Sequence, residues 1–319
     1  MVGSDGQEYL FLCKPKDDLR KDCRMMEFNT MINKLLKKHP ETRRRKLRIR
    51  TYAVVPLNEE CGLIEWVPNT TGFRHILTAI YNAEGLGLAT KQLRDVWGSK
   101  MPAVEIYRDH VLPFYPPVFH KWFLKSFPDP TTWFEARLAY ARAIAVMSMV
   151  GYLVGLGDRH GENILFDSTT GECVHVDFNC LFWRGLTFEK PEKVPFRLTP
   201  NMTDALGLTK HEGVYRSVCE LTLRVLRDNK DTLMSVLETF IYDPLVEWTA
   251  KGHRSTSAAT GETNNESAVQ TVADIERRLK GQEKSYVTLS VEGQVHTQIN
   301  EAISQDNLSR MYIGWAPWM

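Results

Sequence analysis

Acidic, amide and imidazole side chains are concentrated in one short segment between Asp158 and Asp177. The segment reads Asp-Arg-His-Gly-Glu-Asn from Asp158 to Asn163 and, after a short apolar run, His-Val-Asp-Phe-Asn from His175 to Asn179. The oxygens of Asn163 and Asp177 are hard ligands of the kind that Mg²⁺ prefers. Asp158 lies on the preceding loop and is available to orient or deprotonate a substrate hydroxyl. These residue types predict a metal-assisted phosphoryl-transfer site.

The residues between the two halves of this segment predict a β-hairpin that brings the halves together. Apolar runs occupy 164–166 and 173–176, and the intervening 167–171 reads Asp-Ser-Thr-Thr-Gly, which is rich in turn formers. If the loop centres near Thr170, facing residues have positions that sum to about 340. Asn163 is then expected opposite Asp177, at the open end of the hairpin.

Each of these residues also has an ordinary structural interpretation. A single Asp, Asn or His in a loop is most often a turn former or a cap. For Asp158, Asn163 and Asp177 we favour the functional interpretation, because their spacing and the hairpin indicate one mechanism. Arg159 is a candidate for a catalytic role or for holding the loop by pairing with a carboxylate. His160 is a candidate for contacting a γ-phosphate or for packing against Asp177.

The composition is that of an ordinary globular protein. The 319 residues are 43% hydrophobic and 25% charged, with a net charge of +1, so nothing requires a nucleic-acid or membrane partner. The six cysteines are scattered without a Cys-x-x-Cys pair, which favours reduced thiols over disulfides or zinc ligands. No secretory signal opens the chain, and the apolar stretch at 143–157 is too short to span a bilayer. It continues a helical pattern from Thr131 and predicts a buried core helix.

The order of the predicted elements indicates an α+β protein with two lobes. Strands are expected at 8–14, 47–56 and 61–67, with a helix over 17–38, which makes residues 1–67 a small mixed lobe. From Thr71 the chain is mainly helical, with a long irregular loop over 180–201. Residues 68–250 therefore form a larger, mainly helical lobe.

Two further segments follow the helical lobe. Residues 251–267 are rich in Gly, Ser, Thr, Asn and Ala, which predicts a flexible linker, and 268–280 is expected to form one short helix, so that 251–288 is a linking region. Residues 289–319 regain hydrophobicity, with Val291, Val295, Ile299 and Ile303 on one helical face and aromatic residues at the end. This tail is a candidate for docking on the core or contacting an activator, and a membrane contact ranks last.

The basic run Arg43-Arg44-Arg45-Lys46 has two interpretations. It could bind nucleic acid or direct nuclear import, or it could be a solvated connection between a helix and a strand. We favour the connection, because the run has no interleaved aromatic residues and the chain is not basic overall.

The motif order Asp-Arg-His-x-x-Asn followed by Asp-Phe resembles the phosphatidylinositol 3-kinase-related protein kinases. Ordinary protein kinases have His-Arg-Asp-x-x-x-x-Asn and Asp-Phe-Gly, so the first triplet is reversed here while the Asp158 to Asn163 spacing is kept. The resemblance covers essentially the whole chain and is similar in detail to the DNA-damage checkpoint branch of that family. It implies a bilobal PI3/PI4-kinase fold and a FATC-like tail. The segments that carry it are Cys13–Asp22, Leu63–Val67, Met147–Tyr152, Val194–Thr199 and Met311–Trp315.

This resemblance implies which residues of the small lobe hold ATP. Lys14 would contact the ATP phosphates, Asp17 would position Lys14, and Asp22 would lie deeper in the adenine pocket. Without the family match, Lys14 would be a solvated residue at a strand end.

The lobe connection at Glu65, Trp66 and Val67 matches the hinge of the family. Backbone groups of Glu65 and Val67 would hydrogen-bond adenine, and the Trp66 ring would pack against it. The alternative is that Trp66 is an ordinary core aromatic.

The implied activity is transfer of the ATP γ-phosphoryl group to a protein Ser or Thr, with Mg²⁺ or Mn²⁺ as the metal. Asn163 and Asp177 would be the metal ligands, and Asp158, His160 and Arg159 the catalytic residues. The family implies Ser/Thr-Gln substrate sites, a regulatory partner subunit, activator proteins and a nuclear location in checkpoint signalling. It implies no direct nucleic-acid binding by this region and no membrane.

Two rival functions stay open. The resemblance implies that the loop from Asp177 to about Thr199 is the activation segment, which binds the substrate. A phosphoinositide lipid kinase would need a cluster of Lys and Arg there, whereas residues 177–194 have only Arg184, Lys190 and Lys193, offset by Glu189 and Glu192. A kinase-fold scaffold without activity is the other rival. The family has a phosphate-covering loop before the lysine strand, which we expect to lie outside these 319 residues.

Overall fold

The computed structural model describes residues 1–242, 260–282 and 287–319, with side chains from residue 268 onward in the second range. Two three-stranded antiparallel sheets and a set of helices make up the described part. The strands are β1 (Phe11–Pro15), β2 (Val54–Pro56), β3 (Cys61–Glu65), β4 (Thr70–Gly72), β5 (Ile164–Asp167) and β6 (Cys173–His175).

The first sheet has the strand order β1-β3-β2 and forms the small lobe together with helix α1 (Arg20–Lys38). In the β1–β3 register Phe11 lies opposite Glu65 and Lys14 lies opposite Gly62. One face of α1 is buried, including Met25, Phe28 and Ile32, so the helix covers the sheet as its spacing predicts. Strand β1, which carries Lys14, and strand β3, which leads into the connection between the lobes, are therefore neighbours in this sheet.

The strand predicted over 47–56 is mostly wrong, because only Val54–Pro56 is a strand. The Asn33 side chain donates to the Ile49 carbonyl (2.8 Å) and accepts from the Ile49 amide (2.7 Å). These two bonds satisfy the backbone that a neighbouring strand would otherwise pair, so the segment stays irregular.

The basic run lies at a short helix, α2 (Pro40–Arg44), and the turn after it. Arg44 pairs with Glu41 on that helix (2.8 Å). Arg48 just beyond it pairs with Glu172 (2.7 Å), and Arg50 pairs with Asp167, both on the hairpin that follows the catalytic motif. These two pairs join the segment after the run to the hairpin, whereas the interpretation of the run itself as a solvated connection stays a prediction.

The larger lobe is built on the second sheet, β4-β5-β6, and on helices. An aromatic cluster joins the sheet to the helices, with Phe119 packed between Phe73 (ring centroids 5.0 Å apart) and Phe166 (4.8 Å). The α-helices are α3 (Phe73–Ala83), α4 (Thr90–Trp97), α5 (Ala103–Glu105), α6 (Phe119–Ser126), α7 (Pro130–Val154), α8 (Pro200–Ala205), α9 (Val214–Asp228), α10 (Lys230–Ile241), α11 (Thr260–Leu279), α12 (Val291–Ile303) and α13 (Gln305–Ser309). A π-helix at Ile106–Val111 and 3₁₀ turns at Leu112–Phe114, Arg184–Thr187, Lys210–Glu212 and Ile313–Trp315 complete the described elements.

Helix α7 is the predicted core helix. Asp129 caps it by accepting from the Thr132 amide (2.9 Å), Pro130 occupies its first turn, and Gly155 ends it in the left-handed conformation (φ 60°). By length and composition α7 could cross a membrane, but 72% of its most apolar stretch is buried inside the protein. It packs against α9 at the centre of the larger lobe, which confirms the prediction of a buried helix.

The predicted linker over 251–267 is only partly within the described residues. Residues 251–259 lie outside them, whereas helix α11 begins at Thr260 rather than at Ala268. The predicted linker is therefore wrong over 260–267, because these polar residues form the first turns of a longer helix. In the tail, α12 spans Val291–Ile303 as its periodicity predicts, with Val295 and Ile299 fully buried.

Candidate active site

The catalytic loop connects the end of α7 to strand β5. Asp158 has a left-handed backbone (φ 55°), and the Asn163 amide donates to the His160 carbonyl (3.0 Å), which closes the loop as a tight turn. A Cβ atom on Gly155 would lie 2.6 Å from the Trp183 amide nitrogen, so the loop starts at a glycine that the activation segment crosses closely. The loop is thus packed beneath the segment that follows the hairpin.

The hairpin is confirmed, but its predicted register is wrong by one residue. Ile164 lies opposite His175, and the Val176 amide donates to the Asn163 carbonyl (3.1 Å), so Asn163 faces Val176 rather than Asp177. Asp167 causes the shift, since its carboxylate accepts from the Thr169 amide (2.7 Å). The centre of the loop therefore lies between Thr169 and Thr170 instead of at Thr170. Asp177 follows directly, and its left-handed backbone (φ 60°) turns the chain away from the strand.

Each of the two predicted metal ligands has one side-chain oxygen without a hydrogen-bond partner in the described ranges. Asn163 donates its Nδ2 to the Asp158 carbonyl (2.8 Å), which assigns its Oδ1 to the opposite side of the amide. Asp177 Oδ1 accepts from the Asn179 amide (3.2 Å) and side chain (3.0 Å). Among the described residues neither Asn163 Oδ1 nor Asp177 Oδ2 receives a hydrogen bond. One amide oxygen and one carboxylate oxygen are a donor set that suits Mg²⁺.

Within the part of the chain that the structure describes, Arg159 holds the loop through backbone carbonyls rather than by pairing with a carboxylate. Its buried guanidinium donates to Gly157 O (2.9 Å), Val176 O (2.8 Å) and Asp177 O, which are carbonyls from the catalytic loop and from the strand end. Burial lowers the pKa of Arg159, and the charges of Asp177 and Asp158 oppose that shift. The side chain therefore ties the two halves of the motif together.

His160 is oriented as a neutral hydrogen-bond donor. The Glu162 amide donates to His160 Nδ1 (3.2 Å), so the proton of the neutral ring is assigned to Nε2. Burial lowers the pKa of His160, although Asp158 and Glu162 favour its charged form. His160 and Asp158 both line a cavity of about 720 Å³ next to the activation segment.

The predicted phosphate-binding group lies on strand β1. Lys14 Nζ is 3.3 Å from Asp17 Oδ2, as expected for a lysine positioned by a neighbouring acid. Asp22 is only 2% exposed and accepts from the Phe178 amide (3.0 Å), so it links α1 to the Asp-Phe pair of the hairpin. Burial raises the pKa of Asp22 to about 6; the Phe178 amide and Lys14 oppose this, whereas Asp177 adds to it.

The predicted hinge follows strand β3. The Glu65 amide donates to Ala53 O (2.8 Å), and the Trp66 amide donates to Leu10 O (2.9 Å). In the described part of the chain the Val67 amide has no acceptor, which leaves it available to a ligand. Trp66 is 56% exposed, so its interpretation as a core aromatic is wrong.

Sequence reasoning missed two charged residues that contact the catalytic loop from the activation segment. Glu192 accepts from the Asp158 amide, and Arg197 donates to the Arg159 carbonyl (3.2 Å). Arg197 lies within Val194–Thr199, one of the segments that carry the family resemblance, and Glu192 lies two residues before that segment. That segment is the sequence signal for both residues, since long-range pairing is not visible in a local pattern.

The tail docks on the larger lobe beside this site. Arg197 donates to the carbonyls of Trp315 (2.8 Å), Ala316 (2.9 Å) and Met319 (3.0 Å) and stacks on the Trp315 ring (4.1 Å). Trp318 is buried against Trp97 (ring centroids 5.2 Å apart). Of the alternatives for the tail, docking on the core describes the structure: Trp315 and Trp318 are buried, whereas Tyr312 is exposed.

The chain is similar over its whole length to proteins named as protein kinases. The chain is 57% identical to "Serine/threonine-protein kinase ATR" of Arabidopsis thaliana over 100% of its own length and 12% of the relative's. It is 52% identical to "Protein kinase rad3" of Schizosaccharomyces pombe over 99% of its length and 13% of the relative's. The chain thus spans about an eighth of these relatives.

A solved structure and two family models agree with the predicted bilobal fold. The structure titled "FAT and kinase domain of CtTel1" superposes with a TM-score of 0.88 at 38% identity, over 100% of this chain and 22% of that one. The phosphatidylinositol 3- and 4-kinase model matches residues 8–250, and the FATC model matches residues 288–319. The chain therefore belongs to the phosphatidylinositol 3- and 4-kinase family and contains a FATC domain.

Proposed function

We propose that this chain is the catalytic region of a serine/threonine protein kinase that transfers the γ-phosphoryl group of ATP to protein substrates. The observation that supports this proposal is one loop-and-hairpin unit that holds Asp158, Asn163 and Asp177 together, in a chain whose named relatives are serine/threonine kinases. Residues 1–67 and 68–250 would be the two kinase lobes, 251–288 a regulatory link and 289–319 the FATC segment.

ATP would bind between the lobes. The Val67 amide and the Glu65 carbonyl would recognise adenine at the hinge, and Trp66 would pack against the ring. Lys14, positioned by Asp17, is a suitable point charge for the phosphates (3.3 Å between Lys14 Nζ and Asp17 Oδ2).

Asn163 and Asp177 would hold the divalent cation, since each has an oxygen without a protein partner among the described residues. When bound, Mg²⁺ neutralises charge on the β- and γ-phosphates. Asp158 would orient the substrate hydroxyl, and neutral His160 would donate from Nε2 toward the γ-phosphate. Arg159 would contribute by fixing the loop that carries Asp158. Positioning and electrostatics would provide most of the acceleration.

A protein substrate suits the cleft beside Asp158 better than an inositol phosphate. The 720 Å³ cavity has three aromatic residues in its lining, and its two cations, Arg74 and Lys190, are outnumbered by four carboxylates. The carboxylates are those of Asp158, Glu162, Glu189 and Glu192. Ser or Thr followed by Gln is the proposed target site. A regulatory partner subunit, activator proteins and a nuclear location in checkpoint signalling belong to the same proposal.

A kinase assay on the intact protein tests this function. We expect ATP- and Mg²⁺-dependent phosphorylation of a Ser-Gln peptide in preference to a Ser-Ala peptide, and none of phosphoinositide vesicles. Asp158→Asn and Asp177→Asn should abolish the activity, whereas the matched control Asp109→Asn, at an exposed residue paired with Arg108, should not. Lipid phosphorylation without peptide phosphorylation would overturn the proposal. Binding of ATP without any transfer would favour a scaffold instead.

A further inference from the structure

The activation segment contributes a carboxylate that contacts the backbone of Asp158. The Asp158 amide donates to both oxygens of Glu192, at 3.0 Å to Oε1 and 3.1 Å to Oε2. Glu192 is half-buried, and in the described part of the chain it forms no ion pair with a cation. Its own amide donates to the Gly185 carbonyl (3.0 Å), which anchors the residue within the activation segment.

Glu192 reaches the catalytic loop because two glycines leave room for it. A Cβ atom on Gly185 would overlap Glu192 Oε2 and would lie 2.8 Å from its Cδ and 3.1 Å from its Cγ. A Cβ atom on Gly157 would also overlap Oε2. All three closest neighbours of the Gly185 position belong to Glu192, so a side chain there would displace this carboxylate before anything else.

The contact affects the residue that the proposed reaction depends on most. Asp158 has a left-handed backbone (φ 55°), a conformation that a non-glycine residue adopts only when its surroundings hold it there. The bond to Glu192 fixes the orientation of the Asp158 amide, and this orientation determines the direction in which the Asp158 side chain projects from the backbone. No other acceptor for that amide exists among the described residues.

We propose that Glu192 is a positioning residue, which sets the orientation of Asp158 by accepting its backbone amide and so couples the conformation of the activation segment to transfer. This inference rests on the proposed kinase function. Glu192 lies between the 720 Å³ cavity at Asp158 and a second cavity of about 630 Å³ between the activation segment and α11, and it is the one residue that lines both of these described cavities. A movement of the activation segment would therefore withdraw the acceptor from Asp158.

The test compares Glu192→Ala, Glu192→Gln, Gly185→Ala and the Gly185→Ala/Glu192→Ala double variant in the intact protein. Gly72→Ala is the matched control, because its Cβ would meet only ordinary contacts, at 3.7 Å from Gly161 O and 3.9 Å from Leu165 Cδ2. The measurements are kcat and KM with a Ser-Gln peptide, ATP affinity, and hydrogen exchange at the Asp158 amide.

Glu192→Ala and Gly185→Ala should each lower kcat about tenfold or more with ATP affinity unchanged, because a displacement near 1 Å is that costly in an oriented site. Glu192→Gln retains one oxygen acceptor and should fall between Ala and the unmodified protein. The double variant should be no slower than Glu192→Ala, since the alanine at 185 then has no carboxylate to displace. Gly72→Ala should behave as the unmodified protein.

Gly185→Ala with the activity of Gly72→Ala, or a double variant whose losses multiply, would overturn the inference. If the unmodified protein phosphorylates no peptide, the proposed function fails while the exchange measurement still decides this inference. The Asp158 amide should be protected in the unmodified protein and exchange faster in Glu192→Ala and Gly185→Ala. Equal exchange in all variants would refute the role of Glu192.

Discussion

Replacement of Arg197 by Met should release the FATC segment from the kinase core. The Arg197 guanidinium is buried and donates to four carbonyls, one on the catalytic loop (Arg159) and three in the tail (Trp315, Ala316 and Met319). It also stacks on the Trp315 ring at 4.1 Å. Methionine is similar in length to arginine and packs well in apolar surroundings. The free energy lost in Arg197→Met therefore reflects the missing hydrogen bonds rather than a cavity.

The size of the effect follows from these contacts. Each hydrogen bond from a charged donor contributes about 1.5–3 kcal/mol, but burial of the cation has its own desolvation cost, which offsets much of the sum. Removal of the cation leaves carbonyls without a donor at about 1–3 kcal/mol each, and loss of the desolvation cost of the cation offsets part of this, so we expect a net loss of about 3–5 kcal/mol. Because about 1.4 kcal/mol is a factor of ten, the equilibrium constant for tail docking should fall by about two to three and a half orders of magnitude.

Hydrogen exchange at the tail amides measures this directly. The amides of Trp315 and Ala316 donate within the tail (2.9 and 3.1 Å), so they are protected only while the tail stays folded on the lobe. Arg310→Met is the matched control, since Arg310 makes an exposed pair with Asp306 (2.8 Å) and its loss should cost less than about 1 kcal/mol. Arg197→Lys keeps the charge without the planar fork and should be intermediate. Equal tail exchange in Arg197→Met and Arg310→Met would refute this reasoning.

Three further predictions follow from buried groups. Burial raises the pKa of Glu192 from 4.5 to about 7. Relative to Glu192→Gln, the unfolding free energy of the unmodified protein should therefore fall by up to about 3 kcal/mol as pH rises from 4.5 to 7. If the unfolding free energies of the two proteins change in parallel over this range, the prediction is contradicted. Burial likewise raises the pKa of Asp22 from 3.8 to about 6. Asp22→Asn keeps an acceptor for the Phe178 amide and should therefore stabilise the protein by about 1–3 kcal/mol at pH 7.5 and little at pH 4. A lower melting temperature of Asp22→Asn at pH 7.5 would count against this prediction. Trp318→Ala should cost about 3–5 kcal/mol of tail docking, because the ring is 2% exposed and packs on Trp97; unchanged tail protection in hydrogen exchange would exclude that role.

Local patterns predicted the elements that depend on local interactions. Helix α7 was predictable because its apolar run, its Asp-Pro start and its glycine end all act within a few residues. The hairpin was predictable from its turn formers, but its register was not, because a single Asp167 side chain decides where the loop closes. The 47–53 segment was mistaken for a strand because Asn33, sixteen residues away from Ile49, satisfies its backbone.

The order and types of the residues by themselves determined the chemistry of the candidate site: the acid, the amide and the second acid stand in one segment, and their hard oxygens indicate a metal and a phosphoryl group. Tertiary structure alone decided what holds that segment. Arg159 donates to carbonyls on both halves of the motif, and Glu192 and Arg197 contact the loop from a distant part of the chain. The physical reason is that buried charges must find partners wherever the fold offers backbone groups, and those partners lie far apart in sequence.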